Sequence, residues 1–267
     1  MEEIYSQGGR LAFALTLTDT QAPKKSGRIY LDDFCSRHSI ALFKSRNMND
    51  PEAVEFVRSQ SVDWLFVIGW SQIARPPLLS TLRRGALGIH PTLLPVGRGR
   101  SAIPWTIIRG LPEAGATLFK LDDGVDTGPV IAKERIPLGA RETATELYAK
   151  LITAHRNLIR HAWPDIAADR VREIPQDDSK ATVWPARTPD DGRLEPLMTV
   201  SEADRLVRAT THPYPGAFLD QGSKRLRIWS GSIAGSAPPG ERAIRVEFAD
   251  GQYDVEDWEA EAMSNQG

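Results

Sequence analysis

The sequence predicts an α/β protein: a mostly parallel sheet covered by helices, followed by a small β-rich subdomain. Three observations predict it. Short apolar runs alternate with helix-spaced segments over roughly the first 175 residues, the pattern of strands joined by helical crossovers. From about Pro175 the chain becomes punctuated by Asp177, Asp178, Pro185, Pro189, Asp190, Asp191 and Gly192, and two strand-like runs follow. Hydrophobic residues make up 41% of the 267 residues and charged residues 25%, enough apolar mass for a real core.

The elements follow in order. Leu11 to Thr18 (LAFALTLT) is a short apolar run that reads as a buried strand. Ile29 to His38 has helical spacing, and Ile40 to Phe43 is a short strand. Asn49-Asp50-Pro51 reads as a helix start, a capping side chain before a proline in the first turn, with Ala53, Val54 and Val57 on the inner face. Trp64 to Ile68 is the second apolar strand and Ala86 to Ile89 a third. Ile103 to Ile108 is helical; Ala116 to Lys120 and Val130 to Ile136 are strands. Thr143 and Glu146 form a capping box that opens a long helix reaching about Trp163. A helix at Ser201 to Ala209, the segment HPYPGAF (His212 to Phe218) and strands at Lys224 to Ser230 and Arg242 to Phe248 complete the tail. The domain boundary is expected near 175–187, giving residues 1–180 and 181–267. Met1 to Gln7 reads as the middle of a helix already under way, so a first strand is expected to be missing upstream.

Composition excludes several classes. A net charge of −2 argues against a generally basic nucleic-acid binder. A single cysteine, Cys35, excludes an intrachain disulfide framework and any multi-cysteine metal site. There is no apolar signal core and no run of about 20 apolar residues, so the expectation is a soluble, cytoplasmic protein with no membrane partner. Trp64, Trp70 and Trp105 read as core or cleft walls, and Trp163, Trp184, Trp229 and Trp258 as packing residues. His38, His155, His161 and His212 carry no chemical context.

The chemistry concentrates between Gly88 and Gly128. His90 follows a short strand, where open α/β sheets place a ligand crevice. Pro91, Pro95, Gly97 and Gly99 force an irregular loop that presents Arg98 and Arg100. Asp122, Asp123 and Asp126 lie in a second loop, directly after another strand. Two such loops can set a carboxylate beside an imidazole, which favours the charged ring, fixes its orientation and equips it for acid–base work. On these grounds alone His90 is as readily a satisfied core histidine. Asp122-Asp123-Gly124 reads first as turn chemistry, and the two arginines as solvated loop charges. No second histidine stands at ligand spacing from His90, so no metal is expected.

The motif HPTLLPxxRGR with PW shortly after, then GATLFKLDDGVDTGPVI, resembles the signature of the folate-dependent formyltransferases. That family includes methionyl-tRNA formyltransferase, glycinamide ribonucleotide transformylase and the sugar-nucleotide N-formyltransferases. In the tail, Gln176, Ala181-Thr182, Arg187 to Asp191, Val207 to Ala209 and Pro213 to Phe218 resemble the formyltransferase domain of the bifunctional aminoarabinose enzyme. The resemblance covers roughly residues 60–230 and more loosely 10–60. It implies a Rossmann-like domain, the small C-terminal subdomain, and transfer of a formyl group from 10-formyltetrahydrofolate to an amine through a tetrahedral oxyanion. His90 falls on the catalytic histidine and Asp126 on its aspartate partner. The stretch Gln72-Ile73-Ala74 and the loop Asp122-Asp123-Gly124-Val125-Asp126 fall on the pterin-binding segments. Arg98 and Arg100 match the arginines of sugar-nucleotide members, where the second helps hold phosphates.

One departure stands out. The family carries asparagine two residues before the histidine, and this chain has Gly88. Losing such an oxyanion donor costs about 10²–10³ in rate. Gln72 or Ser71 could replace it, or the glycine could make room for a different acceptor, or the chain could be a folate-binding homologue without efficient turnover. The acceptor expected first is an amino-sugar nucleotide, whose phosphates suit the two arginines. An amino acid or hydroxamate precursor of siderophore or peptide biosynthesis is the alternative, and methionyl-tRNA a further one. The acidic tail (Glu195, Glu202, Glu247, Asp250, Asp254, Glu256, Asp257, Glu259, Glu261) argues against RNA. A homo-oligomer stays open.

Overall fold

A computed structural model describes residues 1–24, 28–70, 72–235 and 243–262. The chain forms two compact units. The first comprises Met1–Gly99, Gly115–Ile136 and Leu151–Val183; the second comprises Arg100–Ala114, Pro137–Lys150 and Trp184–Gly267. A single cut after residue 180 puts Arg100–Ala114 and Pro137–Lys150 in the first domain, whereas both cluster with the second. The reason is packing: Ile108 joins the apolar core of the second unit, and its carbonyl accepts a hydrogen bond from Arg205 Nε at 3.1 Å.

In the first unit, α1 (Glu2–Ser6) precedes β1 (Phe13–Leu17), which pairs in parallel with β2 (Ala41–Ser45). The connecting helix α2 (Asp32–Arg37) buries Cys35 against Ala14 and Ile40. It is shorter than the helical spacing of Ile29 to His38 suggests, and Ile29 and Tyr30 are exposed. Helix α3 (Pro51–Ser59) begins with Pro51 in its first turn. The expected side-chain cap is not made. Asp50 instead accepts hydrogen bonds from the Asn47 amide (3.1 Å) and the Ser45 hydroxyl (3.0 Å), tying the helix start to the end of β2.

Strand β3 (Trp64–Ile68), helix α4 (Pro76–Leu79) and β4 (Gly85–His90) follow, with β3 and β4 parallel from Trp64↔Gly85 to Ile68↔Ile89. Val54, Val57 and Leu78 are fully or nearly fully buried among Phe13, Leu15, Leu65 and Val67. Each such side chain contributes about 1.5–3 kcal/mol through removal from water. After the two-residue strand β5 (Arg98–Gly99) and α5 (Ala102–Ile108) come β6 (Glu113–Lys120) and β7 (Val130–Pro137). The sheet order is β3-β4-β6-β7, and β1-β2 form a separate ladder. β6 runs antiparallel to β4, with His90 opposite Thr117 and Leu87 opposite Lys120.

The long helix α6 (Ala144–Ala167) starts with the predicted box. The Glu146 amide donates to Thr143 Oγ1 at 3.3 Å, and the Glu146 carboxylate accepts the Thr143 amide at 2.9 Å. After β8 (Val183–Trp184), the second unit continues with α7 (Val200–Thr210), capped reciprocally by Thr199 and Glu202. It packs on an antiparallel sheet of order β11-β12-β10-β9, built from β9 (Ala217–Gln221), β10 (Lys224–Ile233), β11 (Ile244–Phe248) and β12 (Gly251–Ala262). Ala203, Leu206 and Val207 of α7 meet Ala217, Ile228, Tyr253 and Val255. The strand expected from Arg242 begins at Ile244, and Arg242 lies outside the described residues.

Candidate active site

The first unit brings a buried histidine beside a partly buried aspartate. His90 is the last residue of β4 and is 8% exposed. Its Nδ1 lies 3.4 Å from Asp126 Oδ2, and its Nε2 lies 2.7 Å from the Gly97 carbonyl. A carbonyl can only accept, so that contact places a proton on Nε2. Asp126 Oδ2 also accepts the Gly99 amide at 2.8 Å. The pair is therefore held by backbone groups of the 97–99 loop on both of its members.

The route by which Asp126 arrives differs from the picture of two loops at adjacent strand ends. Because β6 is antiparallel to β4, its carboxyl end lies opposite Leu87, three residues short of His90. That is about 10 Å along the ladder. The loop after Lys120 must travel back, and Asp126 adopts φ +56 to do so. Asp122 tightens the return by accepting the Gly124 amide (3.1 Å) and the Thr127 hydroxyl (2.7 Å). The Lys120 amide donates to the Pro129 carbonyl at 2.9 Å. Gly128 allows the close approach: a Cβ there would sit 1.8 Å from the Lys120 carbonyl oxygen. Asp123 is exposed on this loop.

Gly88 faces a filled space. A Cβ on it would lie 2.9 Å from Leu121 Cδ2 and 3.1 Å from Phe119 Cε1. An asparagine side chain there would require these two apolar groups to shift. Gln72 is committed elsewhere. Its Oε1 accepts the Met48 amide (3.0 Å) and Trp70 Nε1 (2.9 Å), and its Nε2 donates to the Arg46 carbonyl (2.9 Å). Ser71 lies outside the described residues.

The 72–75 loop is pinned by Asn49, whose Nδ2 donates to the Ile73 carbonyl at 2.9 Å and whose Oδ1 accepts the Arg75 amide at 2.8 Å. The sequence reading placed Asn49 only at a helix start. Ala74 is buried, whereas Ile73 and Val125 are about half exposed, as are Ile68 and Val96. No group of three or more metal-ligating side chains occurs among the described residues.

The two arginines part company. Arg98 is 7% exposed, and its guanidinium bonds Gln176 Oε1 from both Nε (3.2 Å) and Nη2 (2.9 Å) and Asp178 Oδ1 at 2.7 Å. It is not presented to solvent. Arg100 is exposed, its amide donating to the Trp184 carbonyl at 3.1 Å. Gln176 carried only resemblance in the sequence; in the structure its Nε2 reaches the carbonyls of Asp126 (2.8 Å) and Gly128 (2.7 Å).

Residues 13–162 match the family described as formyl transferase, and residues 187–257 match the formyl transferase C-terminal domain. Among solved structures, the methionyl-tRNA formyltransferase from Clostridium thermocellum is similar with a TM-score of 0.64 and 20% identity, over 93% of this chain and 98% of that one. The N-formyltransferase from Helicobacter canadensis, solved with folinic acid and dTDP-3-aminofucose, has a TM-score of 0.69 and 14% identity, over 97% and 94%. HypX from Aquifex aeolicus, solved with tetrahydrofolic acid, has a TM-score of 0.67 and 15% identity, over 90% of this chain but only 43% of its own. At these identities the structural likeness speaks for the fold. The family match spans more than half of the sequence and includes His90 and Asp126, and on that ground the chain belongs to the formyl transferase family.

Proposed function

We propose that the protein transfers the formyl group of 10-formyltetrahydrofolate to the primary amine of a small acceptor, an amino-sugar nucleotide before others. The observation that carries the reading is the pairing of Asp126 with His90, buried at the end of β4, with both held by the 97–99 loop. A bound donor would supply the formyl carbon that the amine attacks. Asp126 holds the imidazole edge-on through Nδ1. For His90 to manage the proton that the attacking amine loses and to face the charge that develops on the formyl oxygen, its Nε2 would exchange the Gly97 carbonyl for the reacting centre when the donor binds. Ile73, Val125 and the backbone of residues 72–74 and 122–125 would hold the pterin. No helix among the described residues is long and apolar enough to cross a membrane.

Of the two arginines proposed for the acceptor's phosphates, Arg100 is exposed, whereas Arg98 supports the loop. The acidic tail speaks less against RNA than its composition does. Glu202 caps α7, and Asp254 and Glu261 pair with Arg245 and Arg227. What supports a small acceptor is that the basic stretch Lys224-Arg225-Leu226-Arg227 has both of its arginines neutralised, by Asp220 and Glu261.

The test is donor-dependent formylation of a panel of amino-sugar nucleotides, amino acids, hydroxylamines and methionyl-tRNA, read as a mass gain of one formyl group. A second reading, a folate-binding homologue with little turnover, is favoured by two observations: Gly88 supplies no oxyanion donor, and His90 Nε2 rests on Gly97 O. Donor binding with no formylated product in the panel would select it.

A further inference from the structure

We infer that the segment from Gln176 to Thr182 is a positioning strap for the acid–base pair, with Gln176 setting Asp126 and Thr182 setting the loop that receives His90. The inference rests on the catalytic reading of that pair.

Asp126 sits where an L-residue is disfavoured, at φ +56, and its loop runs back against an antiparallel strand. Such a conformation persists only when surrounding contacts over-determine it. Gln176 supplies them. Its Nε2 donates to the carbonyls of Asp126 and Gly128, on either side of Thr127. Its Oε1 accepts two hydrogen bonds from buried Arg98, which follows directly on Gly97 and precedes Gly99. One amide thereby ties the aspartate's loop to the loop that bonds the aspartate's carboxylate.

Gln176 is itself placed by reciprocal backbone bonds between Val130 and Ile174, at 2.8 and 2.9 Å. At the other end of the strap, Thr182 Oγ1 accepts the Gly97 amide at 2.9 Å and the Thr182 carbonyl accepts the Arg98 amide at 2.9 Å. The Thr182 amide donates to the Pro95 carbonyl at 3.2 Å. These bonds aim the Gly97 carbonyl, the acceptor of His90 Nε2. Neither Gln176 nor Thr182 touches the ring of His90; each acts through a group that does.

The chemistry selects the residue types. Only a primary amide at 176 can donate to two carbonyls while accepting from a guanidinium. Glutamate keeps the arginine contact and turns both carbonyl contacts repulsive. Leucine keeps the volume and removes every bond. At 182, serine retains the hydroxyl acceptor and valine removes it.

The experiment uses the full chain with Gln176→Leu, Gln176→Glu, Thr182→Val and Thr182→Ser. Nitrogen NMR of labelled histidine rings follows the exchange of the His90 Nε2 proton with solvent, and steady-state kinetics follow transfer. Misplacing a catalytic group by about 1 Å costs about a hundredfold in rate. Expected are tenfold to a hundredfold lower kcat in Gln176→Leu, Gln176→Glu and Thr182→Val, donor KM within about threefold, and faster exchange of the His90 proton; Thr182→Ser recovers both. In an Asp126→Asn background Gln176→Leu should lower kcat no further than twofold, because its effect passes through that carboxylate. An unchanged His90 proton in the folded variants, or losses that simply multiply in the double variant, would overturn the inference. If one variant fails to fold, the remaining ones carry the same test. Should no protein, wild type included, transfer a formyl group, the NMR result still decides the strap, and it is the catalytic reading that falls.

Discussion

Replacing Gly88 by asparagine sets the family's donor against this chain's packing. The new Cβ meets Leu121 Cδ2 at 2.9 Å and the Phe119 ring at 3.1 and 3.3 Å. Leu121 can swing away; Phe119, 2% exposed and paired with Gly88 across the ladder, cannot. Overpacking of this kind costs about 1–3 kcal/mol, and an amide buried without partners adds about 1–3. Taking about 4 kcal/mol as the middle, the melting temperature should fall by roughly 8–16 °C in a chain of this size. Turnover should not improve, because the side chain is pushed out of line. Adding Leu121→Ala removes the nearest contact, so the double variant should regain part of the lost Tm. Its turnover should then rise toward the 10²–10³ that one oxyanion donor is worth, about tenfold or more. Differential scanning calorimetry and the formyl-transfer assay read both effects. A single Gly88→Asn variant with unchanged Tm and higher turnover would refute the reasoning: the glycine would then be a simple defect in an open space.

Other perturbations test other parts. Asp126→Asn tolerates the left-handed backbone and should leave Tm within a few degrees while lowering kcat about a hundredfold or more; Asp126→Ala adds a backbone cost of about 1 kcal/mol, visible in Tm. Arg98→Ala should lower stability by about 1–3 kcal/mol, since it strips Gln176 of two bonds, whereas Arg100→Ala should raise KM for a phosphorylated acceptor and leave donor KM alone. Burial pushes His155 down to about 4, and its Nε2 has no partner among the described residues. The unfolded chain protonates this ring near its ordinary 6.5, so stability is complete above about pH 6.5 and is lost as pH falls toward 4. Thermal melts across that window should flatten in a His155→Gln variant.

Much of the fold was legible because it is local. The run WLFVI and the Thr143–Glu146 box declare a strand and a helix start from residue type alone, and both stand where expected. Strand β12 was not legible: Gly251 to Ala262 carries nine polar or small residues besides Tyr253, Val255 and Trp258, and it forms only because β10 and β11 flank it. The cap at Asn49-Asp50 was misjudged because Ser45, at the end of the preceding strand, and Ile73, distant in sequence, compete for those side chains. At the site, His90 and Asp126 were found by their motif, but the antiparallel turn that brings them together depends on strand order. For Arg98 the sequence shows a loop arginine beside glycines. Only the fold shows Gln176 and Asp178 taking its guanidinium, and with it the supporting role.

The most direct test of the central claim is a single-turnover reaction of wild type and His90→Ala with 10-formyltetrahydrofolate and the acceptor panel, following tetrahydrofolate release together with formylated amine. The account predicts coupled, one-to-one formation of both products by the wild type and a loss of at least a hundredfold in His90→Ala, with the fold intact. Equal rates in the two proteins, or tetrahydrofolate release without any formylated amine, would contradict it.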